Sequence, residues 1–267
     1  METHHGSATH RKTALVTGAT AGIGLEIARA LAVEGARVII TGRDRSKLDS
    51  AIAMIKASGG NSANGILADA ATTDGAAVIA KSAPGVDILV NNLGIYESKN
   101  FADITDADWS HLFDVNVMSG VRLSRAYLPV MLAQNWGRII FISSESGLAV
   151  PPDMIHYATT KTAQLSVSRG LALLTRGTNV TVNSVMPGPT RSEGIEAFLR
   201  GQAADPSAPI KQIEAEFFAT ARATSILQRM VEAEEIANLV AYLASPRSSA
   251  TNGAALRAEG GLINTIA

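Results

Sequence analysis

Cysteine is absent from the 267 residues. That excludes a disulfide scaffold, thiolate zinc and iron–sulfur sites, and cysteine nucleophiles. Aromatic residues are few, at 4%, and the two tryptophans, Trp109 and Trp136, are expected to pack rather than to form cofactor platforms. An excess of charge of either sign is also missing. Lys plus Arg number 23 against 24 for Asp plus Glu, a net charge of −1, so no global field draws the chain to nucleic acid. Long apolar runs are missing too. The longest, such as Arg37–Ile40 and Val86–Val90, fall far short of the ~20 residues of a membrane span. The polar stretch Met1–His10 lacks the apolar core of an export signal. Residues 1–11 are expected to be a disordered tail, and no metal site is expected there, because nothing nearby completes a shell around His4, His5 and His10. The protein is expected to be cytoplasmic. What is present, 46% hydrophobic and 18% charged residues, suffices for a sizeable core in one large domain over 12–267.

Short apolar runs alternate with longer amphipathic stretches. Strands are expected at Thr13–Thr17, Arg37–Thr41, Gly65–Ala68, Asp87–Asn91, Arg138–Ser143, Val180–Val185 and Ala254–Arg257. Most are apolar on both faces, as covered parallel strands are. Helices are expected at Ile23–Glu34, Ser46–Ser58, Thr73–Ala83, Asp106–Asn135, Tyr157–Thr175 and Ala233–Ala244, with Pro129 kinking the longest or marking its last turns. Strand-then-helix repetition specifies an α/β fold, a doubly wound seven-stranded parallel sheet with helices on both faces. The stretch Arg191–Met230 has helical segments but no strand. It is too long for an ordinary connection and leaves the carboxyl edge of the sheet, which makes it a candidate lid.

The first strand runs into Thr17-Gly18-Ala19-Thr20-Ala21-Gly22-Ile23-Gly24 and then a helix. Glycines there permit a tight turn and a close backbone approach to a pyrophosphate at a helix N-terminus. The second strand ends in Thr41-Gly42-Arg43-Asp44. An acid at the Gly42 position would bind the ribose hydroxyls of NAD; a guanidinium at Arg43 suits the 2′-phosphate of NADP. NADP(H) is therefore expected over NAD, with Asp44 as the rival that a one-residue shift would bring to the ribose.

Tyr157 and Lys161 stand four residues apart, on one face of their expected helix. An ammonium beside a phenol favours phenolate and fits the Tyr for proton transfer to or from an alcohol oxygen. Thirteen residues before Tyr157, Ser144 lies just past a strand end, where hydroxyls face the ligand cleft. With Thr17-Gly18-x-x-x-Gly22-Ile23-Gly24, Asn91-Asn92-Leu93-Gly94, Asn116, Ser144, Tyr157-x-x-x-Lys161 and Pro187-Gly188 in this order and spacing, the chain resembles the short-chain dehydrogenase/reductases from about Lys12 to Gly261.

The resemblance implies a Rossmann-type domain and hydride transfer between a nicotinamide and a carbonyl or secondary alcohol. It implies Tyr157 as general acid/base, Lys161 as its tuner and ribose ligand, Ser144 as the group orienting the substrate oxygen, and Asn116 as the residue that kinks its helix and holds a water. It implies cofactor contacts from Gly18, Thr20, Ala21, Gly22, Ile23 and Gly24, and from Asp69 and Ala70 at the adenine. It further implies contacts from Asn91 and Gly94, from Pro187 and Gly188 beside the nicotinamide, and from Ser192 or Thr190 at its carboxamide, together with a homotetramer. Leu93 where Ala is usual, Ser192 where Thr is usual and Glu259 where Asp is usual depart from the pattern. The alternatives are an NAD-preferring dehydrogenase of the same family and a non-catalytic dinucleotide-binding regulator, the latter disfavoured by the intact Ser, Tyr and Lys. Glu145 is expected either to select a polar substrate or to be solvated. His156 is expected to be a helix-start residue without chemistry. Phe198, Phe217, Phe218, Ile195, Leu199 and Ile213 are expected either to roof the substrate or to hold the lid's helices together.

Overall fold

Strands buried on both faces need helices above and below them, and the computed structural model has that arrangement; it describes residues 9, 12–59, 62–192 and 195–266. In chain order the elements are β1 (Thr13–Val16), α1 (Gly22–Val33), β2 (Arg37–Gly42), α2 (Arg45–Ala57), β3 (Ala63–Leu67), α3 (Thr73–Ser82), β4 (Ile88–Asn91), α4 (Asp106–Phe113) and a π-helical turn (Asp114–Met118). They continue with α5 (Ser119–Ala133), β5 (Gly137–Ile142), α6 (Ile155–Leu173), β6 (Val180–Pro187), α7 (Ile195–Gln202), α8 (Ile210–Ala219), α9 (Ala233–Ala244) and β7 (Ala255–Ala258). The seven strands form one parallel sheet in the order β3-β2-β1-β4-β5-β6-β7. The order reverses between β1 and β4, which opens a crevice at their carboxyl ends. The expected doubly wound sheet is thus the one observed.

Two apolar layers cover the sheet. One joins its strands to α1, α2 and α9 through residues such as Leu31, Leu48, Ile55 and Val240. The other joins them to α3, α5 and α6 through Ile79, Leu123, Tyr127 and Ala172. The single long helix expected over Asp106–Asn135 is interrupted, and the interruption is the π turn rather than Pro129, which lies inside α5. Trp109 packs edge-on against His156, and the Lys12 and Arg138 cations both lie over the Trp136 ring, so both tryptophans pack as expected.

The insertion after β6 forms α7 and α8 around a small core of its own: Leu199, Ile213, Phe217, Phe218 and Met230. Its two ends are fastened together. Thr190 bridges Val231 in parallel, with Val231 N–H donating to Pro189 O at 2.8 Å and Arg191 N–H donating to Val231 O at 2.8 Å. The tail expected over 1–11 lies outside the described residues except for Thr9, which is buried and donates its hydroxyl to Glu34 O at 2.9 Å.

Candidate active site

Gly18 and Gly22 adopt φ of 62° and 56°, the left-handed region that side chains disfavour. They turn the chain from β1 into α1 so that Gly18 and Ala21–Gly24 line the crevice. The N-cap residue of α1 is Ala21, whose methyl side chain cannot accept from the first N–H groups of the helix. Those donors and the positive end of the helix are left for an anion. Asn92 braces the turn, with Nδ2 donating to Thr17 O at 2.9 Å and Gly18 O at 3.1 Å. The donor set and the glycine cradle fit a dinucleotide pyrophosphate.

At the β2 end, Arg43 is largely exposed and Nη1 lies 3.6 Å from Asp69 Oδ2. Asp69 also accepts from Ala71 N–H at 3.0 Å. Asp44 caps α2, accepting from Lys47 N–H at 3.0 Å. A β-carbon on Gly42 would come within 2.7 Å of Thr20 Cγ2, so a side chain at that position would require Thr20 to rotate.

Across the crevice, the loop leaving β5 is fastened to α6. Ser143 Oγ donates to Lys161 O at 2.8 Å and Thr162 Oγ1 donates to Gly147 O at 2.8 Å. These bonds set Ser144 opposite Tyr157 and Lys161, and all three line the same wall. Lys161 is buried, with Nζ donating to Ile142 O at 3.0 Å and lying 5.6 Å from the centre of the Tyr157 ring. Gly94 leaves Lys161 Nζ its room; a β-carbon there would lie 3.3 Å from it.

Burial brings the Lys161 ammonium down from 10.5 to about 8, against a smaller upward pull from the Glu145 charge. Burial pushes the Tyr157 phenol up, the Glu145 charge adds to the rise, and the neighbouring Ser144 hydroxyl pulls the other way. In this state Tyr157 is held as the neutral phenol.

The π turn presents Asn116 to the base of this wall. Its Oδ1 accepts from Ile95 N–H at 2.8 Å, and its Nδ2 donates to Ile95 O and to Thr160 Oγ1, both at 2.9 Å. The Asn116 carbonyl accepts from Gln164 Nε2 at 2.6 Å. Asn116 thus ties the β4–α4 loop to α6.

Most expected site residues meet in the cleft: Gly18, Ala21, Gly22, Ile23, Gly24, Gly94, Ser144, Tyr157, Lys161, Pro187, Gly188, Thr190 and Ser192 all line it. Thr190 Oγ1 donates to Gly188 O at 2.8 Å, whereas Ser192 sits across from Gly22. Thr20, Arg43, Asp69 and Ala70 lie outside the lining, toward the ends of β2 and β3. The Asn91 side chain turns away to α5, donating to Ser124 Oγ at 3.1 Å, and Asn92 takes the cleft side. His156 is buried, 3.4 Å from Glu97, and does not line the cleft.

Glu259 is buried and accepts from Leu262 and Ile263 N–H, which fixes the turn after β7. Residues without a motif complete the lining: Tyr96, Met154, Glu145 and, from the insertion, Ile195, Phe198, Phe217 and Arg222. The insertion's apolar residues serve both expectations: Leu199, Ile213 and Phe218 hold α7 and α8 together, Ile195 and Phe198 face the cleft while packing on that core, and Phe217 belongs to both.

An uncapped glycine-rich helix start at the switch point of a parallel sheet, facing a Ser–Tyr–Lys wall, is the architecture of a dinucleotide-dependent oxidoreductase. The sequence matches the model of the short chain dehydrogenase family over residues 12–202. The chain is 49% identical to the oxidoreductase YvaG of Bacillus subtilis, over 96% of this chain and 97% of that one, and 46% identical to YvrD of the same organism, again over 96% and 97%. Its fold superposes with a TM-score of 0.91 on the L-sorbose reductase of Gluconobacter frateurii, a structure complexed with NADPH and L-sorbose, at 28% identity over 98% of this chain and 100% of the other. The chain belongs to the short-chain dehydrogenase/reductase family and is an oxidoreductase.

Proposed function

We propose that the protein is an NADP(H)-dependent reductase that interconverts a ketone or aldehyde and the corresponding alcohol. The observation that carries this reading is the shared wall of Ser144, Tyr157 and Lys161 facing the Gly18–Gly24 turn. In the reductive direction the bound nicotinamide supplies a hydride to the carbonyl carbon. Ser144 donates a hydrogen bond to the carbonyl oxygen and Tyr157 gives that oxygen its proton, leaving an alcohol. Lys161 holds the ribose hydroxyls and replenishes the phenol. Asn116 is a positioning residue for α6.

NADP(H) over NAD(H) is supported by three features at the β2 end: position 42 is a glycine rather than an acid, Asp44 is engaged by α2, and the Arg43 guanidinium is exposed. A related structure with bound NADPH points the same way. Asp69 and Ala70 receive the adenine; Ser192 is better disposed toward the carboxamide than Thr190, whose hydroxyl proton is engaged by Gly188.

Among the described residues no helix is long and apolar enough to cross a membrane. We place the enzyme in the cytoplasm, as a homotetramer acting on small molecules. The test is dinucleotide oxidation across a carbonyl panel with NADPH and NADH separately, for wild type and Tyr157→Phe. Turnover with NADPH that is lost in Tyr157→Phe supports the reading, and wild-type turnover that survives the substitution overturns it.

A further inference from the structure

Ser144 has one hydroxyl proton, and in this structure it is given to Glu145 Oε2. The same carboxylate oxygen accepts from Ser146 N–H at 2.8 Å and from Ser146 Oγ at 3.1 Å. Glu145 is buried, one residue past Ser144 in a short helical turn that begins at the cleft wall. Its other oxygen, Oε1, pairs with Arg222 Nε at 3.4 Å. Arg222 comes from the insertion, just past α8, and lies over the Phe217 ring at 5.3 Å. Its Nη1 donates to Ala221 O at 2.9 Å, and its Nη2 has no hydrogen-bond partner among the described residues.

This pair is costly where it stands. A desolvated ion pair gains little net stability over apolar side chains of the same size. The Glu145 charge also disfavours ionisation of Tyr157. Most simply, a Ser144 that donates to Glu145 cannot donate the same proton to a carbonyl oxygen. A substrate that brings its own donor resolves the conflict: its hydroxyl takes over the Glu145 acceptor and frees the Ser144 proton for the reacting oxygen.

We infer that Glu145 and Arg222 select the substrate, and that it is a hydroxy-ketone whose hydroxyl lies one or two carbons from the reacting carbonyl. This rests on the reductase reading above. Ser144 Oγ and Glu145 Oε2 are adjacent, so the two groups they would hold must be close neighbours on one carbon chain. A hydroxyl both donates and accepts, which matches a carboxylate beside a guanidinium with a free N–H. A keto acid would find Arg222 but would bring its carboxylate against Glu145, like charge to like charge. A simple ketone leaves Ser144 held by Glu145. Tyr96, Phe198, Phe217, Ile195 and Met154 supply an apolar wall for the C–H side of the chain.

The test pairs 3-hydroxybutan-2-one with 3-methylbutan-2-one, which replaces the hydroxyl by a methyl group of similar size, as substrates with NADPH. Alongside, binding of butane-2,3-diol and of butan-2-ol is followed without turnover by saturation-transfer NMR. Wild type is expected to favour the hydroxy-ketone in kcat/KM by roughly 10²-fold, because the methyl analogue leaves the buried polar pair unmatched. Glu145→Met, which removes the acceptor, is expected to bring that ratio down at least tenfold, partly by raising kcat on 3-methylbutan-2-one as Ser144 is released. Arg222→Met is expected to raise KM for the hydroxy-ketone more than it lowers kcat. Diol binding is expected to weaken in both variants while butan-2-ol binding stays as in wild type. If neither ketone is reduced but diol binding still depends on Glu145, the pair selects hydroxyl groups and the reductase reading fails. A wild type that reduces both ketones equally well, or diol binding indifferent to both substitutions, overturns the inference.

Discussion

Lys161 and Tyr157 share one wall of the cleft, yet their surroundings move them in opposite directions. Lys161 is brought down to about 8, so between that pH and about 10.5 the unfolded chain binds a proton that the folded one has released. Stability therefore rises with pH across this window, by roughly 3 kcal/mol at most. Tyr157 is raised, so above about pH 10 the unfolded chain loses its phenol proton first and stability falls. Denaturant unfolding of the cofactor-free protein at about pH 7.5 and about pH 9.5 is expected to show a gain in wild type that Lys161→Met lacks. Equal slopes in the two proteins would mean that Lys161 carries no such burden. Tyr157→Phe keeps the ring and its packing, so the fold survives while turnover is expected to fall by ~10²–10⁴. Arg43→Ala is expected to raise KM for NADPH about tenfold and to leave NADH unchanged, since a charged hydrogen bond contributes ~1.5–3 kcal/mol. A wild type that prefers NADH would remove Arg43 from the site and turn attention to Asp44.

Among the elements, the π turn and the insertion carry the most consequence. Asn116 satisfies both Ile95 backbone groups and Thr160 from one buried side chain. Asn116→Ala is expected to cost about 1–3 kcal/mol and to lower kcat through α6 while sparing the α1 turn; unchanged urea midpoints would refute that role. The periodicity of residues 106–135 reads as one helix, because a single π turn shifts the apolar pattern by only one position. The family motif pointed to it through Asn116 alone. The insertion was legible as a stretch without a strand, but not the partition of its side chains: Phe217 and Phe218 are adjacent and both join the core, yet only Phe217 also reaches the cleft. If the insertion is a lid, amide exchange over 195–230 is expected to slow when NADPH and a substrate analogue bind together. Equal protection in both states would make it a fixed wall.

At the scale of the whole chain, the sheet was readable because its strands are apolar on both faces and glycine-rich turns or helix caps mark their ends. The glycine turn, Ser144, Tyr157 and Lys161 were readable for a related reason, since fixed spacing along strand and helix delivers them to one edge. Glu145 and Arg222 were not, because they lie 77 positions apart and only the folded insertion brings them together. Val130, Leu173 and Leu174 are exposed near the ends of α5 and α6. Light scattering is expected to give the mass of four chains for wild type and a smaller assembly for Leu173→Glu combined with Leu174→Glu. A monomeric wild type would refute the tetramer.

The bridge between Thr190 and Val231 makes the insertion a module with a closed base. Chain added or removed beyond such a base changes the closure entropy only slowly, by about 0.6 kcal/mol for each doubling of length. Neither the sheet register nor the Ser–Tyr–Lys wall depends on how many residues lie between its two ends. A foreign segment grafted between Ser192 and Thr224, which keeps Ser192 in the cleft, would thus inherit the chemistry intact and replace Arg222 and Phe217 in a single exchange. In evolutionary terms, this enzyme can change its diet in one recombination event without relearning its reaction.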